Sequence, residues 1–266
     1  MNTTSAAVGH HIREWRQRRR LSQMDLALEA EISTRHLSFL ETGRAQPSRE
    51  MVLRLADQLE IPLRERNVIL VAAGFAPVFP QRGLDDPALA AARRAVEIIL
   101  KGHEPHPALA VDRAWNLVSA NRMVAPLMAG ADPDLLQPPV NVLRLALHPR
   151  GLGPRVANFN EWRTHIVERL RREVELTADP RLVELLTEIR AYPIAEGEPP
   201  GGRDEYGGVA VPFRLRTPQG ELSFFTTTTV FGTPVDVTLQ ELTLETFFPA
   251  DEATARAMTA LAATAP

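Results

Sequence analysis

Leu21–Ser48 reads LSQMDLALEAEISTRHLSFLETGRAQPS. Ser22 can cap a helix over Gln23–Glu29 that contains Leu26-Ala27, and Ser33 can cap another over Thr34–Thr42 that contains Leu37, Phe39 and Leu40. A serine oxygen there accepts from the otherwise unsatisfied backbone N–H groups of a first helical turn. Gly43 stands where a left-handed residue commonly closes a helix. Two short helices separated by so few residues must cross steeply, which is helix-turn-helix geometry. Ala27 falls where they approach closest, and Ile32 and Leu37 plug the gap beneath.

The flanks extend this to five helices in residues 1–74. Gly9–Arg20 is polar apart from Ile12 and Trp15. Ser48 caps Arg49–Leu59, which buries Val52, Leu55, Ala56 and Leu59 at helical spacing, and Pro62 opens Leu63–Ala73 where proline costs least. Residues 75–87 read as a linker, because Gly74, Pro77, Pro80, Gly83 and Pro87 crowd the boundary and break helix and strand alike. Residues 1–74 carry a net charge of +2, with five arginines between Arg13 and Arg20, whereas residues 75–266 carry −5. A basic head on an acidic body suits a DNA-binding module joined to a second domain, and equally suits one solvated arginine face.

The quoted stretch resembles the XRE-type, phage-repressor-like helix-turn-helix. Leu21-Ser22-Gln23, Leu26-Ala27, Ile32-Ser33, Leu37-Ser38, Leu40-Glu41 and Gly43 carry the resemblance together. It implies double-stranded DNA as a partner, with contacts from Gln23, Ser33, Thr34, Arg35, Ser38 and Arg44. Gln23 would reach phosphate at the start of the second helix. Thr34, Arg35 and Ser38 would lie on the exposed face of the recognition helix, where Arg35 can bond guanine in two places. Arg44 would contact phosphate. Gln23 and Ser33 could instead only cap helices, and Arg35 could hold phosphate alone. Glu41 would repel DNA, so it is expected to pair with an arginine of the first helix. One such unit makes few contacts, which implies a homodimer on a palindromic operator.

Residues 88–266 read as mixed α and β. A helix is expected over Pro87–Leu100, strands over Ala108–Val111 and Trp115–Ser119, and helices over Asn121–Met128, Val142–Leu147, Asn160–Thr177 and Pro180–Ala191. Gly197–Gly208 looks like a loop. Val209, Val211, Phe213 and Leu215 then alternate, and Thr217–Gly220 closes a hairpin onto Glu221–Phe231. In Val235–Phe248 the apolar positions change from odd to even numbers, which implies a bulge or bend near Gln240-Glu241. The chain as a whole is therefore expected to be α+β, with an all-α head and a PAS-like body whose five-stranded antiparallel sheet is covered by helices.

The body resembles the MmyB-like ligand-binding domain of helix-turn-helix regulators. The motifs are Val111-Asp112-Arg113-Ala114-Trp115-Asn116, Ala120-Asn121, Pro139-Val140-Asn141, His148-Pro149, Trp162 and Leu170-Arg171. This implies a small-molecule effector, fatty-acid-like or otherwise apolar. An apolar sheet face from Leu117, Phe213, Leu215 and Phe225 could bound a cavity under the helix bearing Trp162 and Ile166. Asn141, Arg144 or Thr227 could hold a polar head group. The same residues could equally fill a core in a body that only dimerises.

Several function classes are excluded or disfavoured. The chain of 266 residues has no cysteine, which removes disulfides, thiolate metal sites and thiol catalysis. The longest uncharged stretch, Asn67–Gln81, has 15 residues and two prolines, fewer than the ~20 a membrane helix needs. No apolar segment marks a signal peptide, so a cytoplasmic, nucleoid-associated protein is expected. His103 and His106 are spaced by three but flanked by prolines, and His148 and His165 stand alone. Gly201-Gly202 and Gly207-Gly208 lack the context of a phosphate loop. With no nucleophile–base pair and no metal set, neither catalysis nor a cofactor is expected. The leading reading is a ligand-responsive transcriptional regulator. Repression is the default, since no acidic activation segment stands apart. The alternative is a DNA-binding interaction protein, such as an antitoxin or phage-type repressor, whose body only dimerises or binds a protein.

Overall fold

The computed structural model describes residues 3–195, 210–232 and 234–264. The first five elements are α1 (Thr3–Arg18), α2 (Gln23–Glu29), α3 (Thr34–Glu41), α4 (Arg49–Gln58) and α5 (Leu63–Ala72). Each expected serine cap is made. Ser33 Oγ accepts from the His36 N–H and Ser48 Oγ from the Met51 N–H. Ser22 and Asp25 cap each other's backbone, a reciprocal arrangement that satisfies two orphan donors at once. Helix α1 begins six residues before the expected Gly9, because Val8, Ile12 and Trp15 form one buried stripe. It ends at Arg18, and Arg20 just beyond it stands in the left-handed region at φ 58°.

In the helix-turn-helix, Ala27 and Leu37 are buried while Ile32 is half-buried, and the Ile32 N–H donates to the Ala27 carbonyl at 2.9 Å. Helix α1 crosses α3 at Gly9, where a Cβ would stand 2.3 Å from the Leu40 carbonyl oxygen. Only glycine permits that approach. The crossing is clamped by a buried ion pair in which Arg16 Nε and Nη2 donate to the two Glu41 carboxylate oxygens at 2.6 and 2.9 Å.

The chain forms two compact units. The first runs to Arg82 and takes in Glu175–Thr177 and the helical turn α11 (Val237–Gln240). Its proline-rich end is pinned by Asn67, whose amide donates to the Phe79 carbonyl and accepts from the Val78 and Phe79 N–H groups. In the same unit Gln240 Oε1 accepts the Leu63 N–H at 2.7 Å. This serves the first turn of α5, which has no side-chain cap of its own.

The second unit is built on a five-stranded antiparallel sheet of β1 (Ala108–Val111), β2 (Leu117–Ala120), β3 (Phe213–Thr217), β4 (Gly220–Val230) and β5 (Thr243–Pro249), in the order β2-β1-β5-β4-β3. That is the order of a PAS-like sheet. Around it lie α6 (Ala90–Gly102), α7 (Ala125–Met128), α8 (Val142–Leu147), α9 (Phe159–Thr177), α10 (Pro180–Ala191) and α12 (Glu252–Thr264). The main core joins one sheet face to α8, α9 and α10 through Leu143, Trp162, Ile166, Leu185, Phe213 and Phe224. A smaller cluster packs Val96 and Leu100 of α6 on Ala108, Ala110 and Leu244.

Three expectations are corrected. The change of apolar parity before Leu242 is not a bulge within one long strand. Buried Asp236 accepts the Thr238 N–H and starts the helical turn α11, so β5 begins only at Thr243. The register irregularity lies between Ala110 and Val111 on β1. Strand β2 starts at Leu117 instead of Trp115, because Asp112 Oδ1 accepts from the Ala114 and Asn116 N–H groups and winds the turn through Trp115, at φ 65°. Helix α7 holds only four of the eight residues expected from Asn121. The buried Asn121 amide is committed to the Leu100 and His106 carbonyls and to the Ala108 N–H. Val209 and Gly197–Gly208 lie outside the described residues; Val211 is described and stands before the strand, which begins at Phe213.

Candidate functional site

The outward face of α3 presents Thr34 and Arg35 exposed and Ser38 half-buried, with exposed Arg44 following the helix. The guanidinium carbons of Arg35 and Arg44 lie 5.3 and 6.0 Å from the centroid of the same Phe39 ring. Neither arginine pairs with a carboxylate among the described residues. An aromatic face holds a guanidinium without consuming its N–H donors, so both forks are oriented and still free to bond. Phe39 counted in the sequence only as an apolar helix residue. Its i+4 spacing from Arg35 was the signal for its second role.

Gln23 and Ser33 show the other side of the expected roles. The Gln23 amide donates to Glu41 Oε2 at 2.7 Å, leaving its second N–H and the first-turn backbone for an outside acceptor. Ser33 is occupied as the cap of α3. Burial of Glu41 works against its ionised form, but hydrogen bonds from Arg16 and Gln23 and the charge of Arg16 outweigh it. The carboxyl is held below its ordinary value.

In the second unit a cavity of about 100 Å³ lies between the sheet and α7, α8 and α9. Of the residues expected around it, Trp162, Ile166 and Phe213 line it. Leu117, Asn141, Arg144, Phe225 and Thr227 do not. Leu117 packs on the core away from the space. Asn141 caps α8, accepting from the Arg144 N–H and donating to the Ala114 carbonyl. Arg144 is held by both Glu188 oxygens at 2.7 Å. Phe225 and Thr227 have the wrong parity: on β4 the even residues Phe224 and Thr226 face inward, and the Thr227 hydroxyl instead bonds that of Thr246.

The wall of the cavity is apolar except at one end, where Thr226 of β4, Glu245 of β5 and Arg169 of α9 meet. Arg169 is held from several directions. Its Nη2 donates to Glu245 Oε1 at 2.7 Å and to the Thr228 hydroxyl at 2.9 Å, its Nε donates to Glu173, and its guanidinium carbon sits 4.4 Å from the Trp115 ring centroid. Burial pushes the Glu173 carboxyl above its ordinary value, only partly offset by the Trp115 indole and Arg169. Trp162 lines the cavity, and its buried indole Nε1 has no hydrogen-bond partner among the described residues. The sequence held a signal for Arg169 that went unread: it follows Ile166 by three and Trp162 by seven, on the same helical face. Among the described residues no group of three histidines or carboxylates could hold a metal ion, and no helix is long and apolar enough to cross a membrane.

A family model described as the MmyB-like transcription regulator ligand binding domain matches residues 92–261, and one described as a helix-turn-helix domain matches residues 7–68. With the exposed α3 face ahead of a PAS-like body, these matches define a helix-turn-helix DNA-binding transcription regulator. The chain belongs to the family of regulators with an MmyB-like ligand binding domain. No curated protein matches it by sequence. Two crystal structures of the clp gene regulator ClgR from Corynebacterium glutamicum are similar to part of it, both at 24% identity. One match covers 28% of this chain and 92% of that one with a TM-score of 0.25, and the other covers 38% and 95% with a TM-score of 0.24.

Proposed function

We propose that the protein is a homodimeric, ligand-responsive regulator that represses from a palindromic operator and takes a small apolar effector in the cavity of its second unit. The observation that carries the sensing part is the cavity itself. A core built only for stability would fill such a space, since interiors are close-packed and voids larger than a water are few. Here about 100 Å³ stays open beside the polar end formed by Thr226, Glu245 and Arg169. A long aliphatic chain needs more room than this, so an effector of that kind requires Leu127, Met128 or Leu145 to move. An effector that binds one body conformation better than the other shifts the population toward or away from the DNA-competent spacing of two heads, and only by its differential affinity.

Native mass spectrometry of freshly purified protein, followed by denaturing release, tests this reading. A dimer carrying one small mass per chain is the expected result. A monomer at micromolar concentration sinks the palindrome reading. An empty dimer that no small apolar compound re-enters sinks the effector reading and favours a body that only dimerises.

A further inference from the structure

Two walls of the cavity continue into the first unit. Helix α9 gives the cavity Trp162, Ile166 and Arg169, and its last turn, Glu175–Thr177, belongs to the first unit. Strands β4 and β5 give it Thr226, Glu245 and Phe247, and the connection between them carries α11, which belongs to the first unit as well. Helices α7 and α8 lie wholly in the second unit, so their movement can stay there. Movement of α9 or of the β4–β5 pair cannot.

Within the first unit both continuations grip one corner, the turn from α4 into α5. On one side Gln240 Oε1 of α11 accepts the Leu63 N–H at 2.7 Å. Helix α11 is itself fixed there, because buried Asp236 accepts from Arg82 and the Val237 N–H donates to the Pro80 carbonyl. On the other side Arg19 Nε donates to the Leu59 carbonyl at 2.8 Å, and its Nη2 donates to the carbonyls of Glu60 and Leu176 at 3.0 and 3.4 Å. Arg19 thereby ties the last turn of α9 to the same corner. It directly follows α1, which is clamped to the recognition helix α3 at Gly9 and through Arg16 and Glu41.

We infer that the turn Leu59–Leu63 receives the state of the cavity, with Gln240 and Arg19 as the positioning residues that pass the movement of β4–β5 and of α9 to the head. This rests on the reading of the cavity as the effector site. A ligand larger than about 100 Å³ must displace the walls, and packed interiors answer by switching between arrangements more than by deforming smoothly. Strands β4 and β5 are paired from Phe224 and Pro249 to Val230 and Thr243, so they move together, and rigid elements of this kind carry coupling between sites. Arg169 fastens α9 to that pair through Glu245 and Thr228. If a ligand spreads α9 from the strands, the bonds of Gln240 and Arg19 to one corner cannot both stay as they are.

The test is calorimetric titration of the full chain with decanoate, an aliphatic probe too large for the resting cavity, with and without an operator selected from random DNA. The ratio of the two affinities is the coupling factor, expected at about 5–150 in the wild type, in either direction. Gln240→Ala removes the acceptor of the Leu63 N–H and should bring the factor to within about twofold of one. Gln240→Glu keeps an acceptor and places a negative charge at the N-terminus of α5, where it is favourable, so it should restore the factor. Arg19→Ala releases the other grip and should also lower it, which decides the matter if Gln240→Ala fails to fold. Decanoate affinity without DNA should stay unchanged in all three, since neither residue lines the cavity. A loss of DNA affinity shared by liganded and free protein cancels in the ratio, so a merely structural role leaves the factor alone. The wild-type factor in either folded alanine variant overturns the inference and leaves the effector-site reading standing. Wild-type protein that binds decanoate with a factor of one overturns it too. If decanoate does not bind the wild type at all, the effector-site reading itself falls and this inference falls with it.

Discussion

Arg35 and Glu41 lie on the same short helix and do opposite things. Arg35 is exposed, oriented by Phe39 and unpaired with any described carboxylate. Replacing it with alanine should cost about 1–3 kcal/mol of binding to an operator selected from random DNA, if its fork reads a base. Fluorescence anisotropy on selected and scrambled duplexes checks this, and equal losses on both would reduce Arg35 to a phosphate contact. Glu41 is buried against Arg16, and Glu41→Gln leaves that guanidinium without its counter-charge. Breaking a buried pair from one side costs about 3–5 kcal/mol, which urea unfolding of the full chain would show as an earlier first transition. The pH dependence has a definite sign. The folded pKa of Glu41 lies below its ordinary value, so its contribution is complete above the ordinary carboxylate range and is lost as pH falls through the depressed folded value. The wild type should therefore lose stability on acidification over a window in which the variant is flatter.

At the scale of elements, the close crossing of α1 and α3 is the point that tolerates least. A methyl group at Gly9 meets the Leu40 and Glu41 backbone, which cannot yield as a flexible side chain can. Gly9→Ala should destabilise the head by about 1–3 kcal/mol, in the range of overpacking, and weaken DNA binding without changing the unfolding of the body. An unchanged head stability would mean that α1 shifts freely on α3. Legibility in the sequence follows the same line between local and distant determinants. Ser22, Ser33 and Ser48 announced α2, α3 and α4 because caps are settled within three residues. Helices around Val142–Leu147 and over Pro180–Ala191 were legible from their own apolar spacing, and the structure adds the local caps of Asn141 and Asp179. The errors came where a side chain answers to something far along the chain. Asn121 shortens α7 because it bonds Leu100 and His106. Phe225 and Thr227 were placed on the cavity because neighbouring apolar residues on β4 do not reveal which parity faces inward; pairing with β5 decides that. Arg144 read as a head-group binder until Glu188, 44 residues away, took both sides of its fork.

On the scale of the whole molecule, the net charge of −3 hides a head at +2, and the head is what meets the phosphate backbone. Affinity for the operator should fall linearly on a log–log plot of binding against salt, with a slope of about −0.9 for each phosphate neutralised. Arg44→Ala should flatten that slope by about 1, and a wild-type slope near zero would contradict an electrostatic interface. Coupling between the two units carries the last prediction. If an occupied cavity selects one conformation of the body, filling it covalently should select the same one. Leu145, 3% exposed, lines the cavity, and Leu145→Phe puts a ring where the effector would sit. The variant should bind operator as ligand-saturated wild type does, and adding ligand should change nothing. In the wild type the shift is expected in the range of about 5–150-fold, and operator DNA must change effector affinity by the same factor, since linkage is reciprocal. A Leu145→Phe protein that still responds to ligand would place the responsive site elsewhere. One that neither responds nor differs from unliganded wild type would show that occupancy of this cavity is not what the head senses.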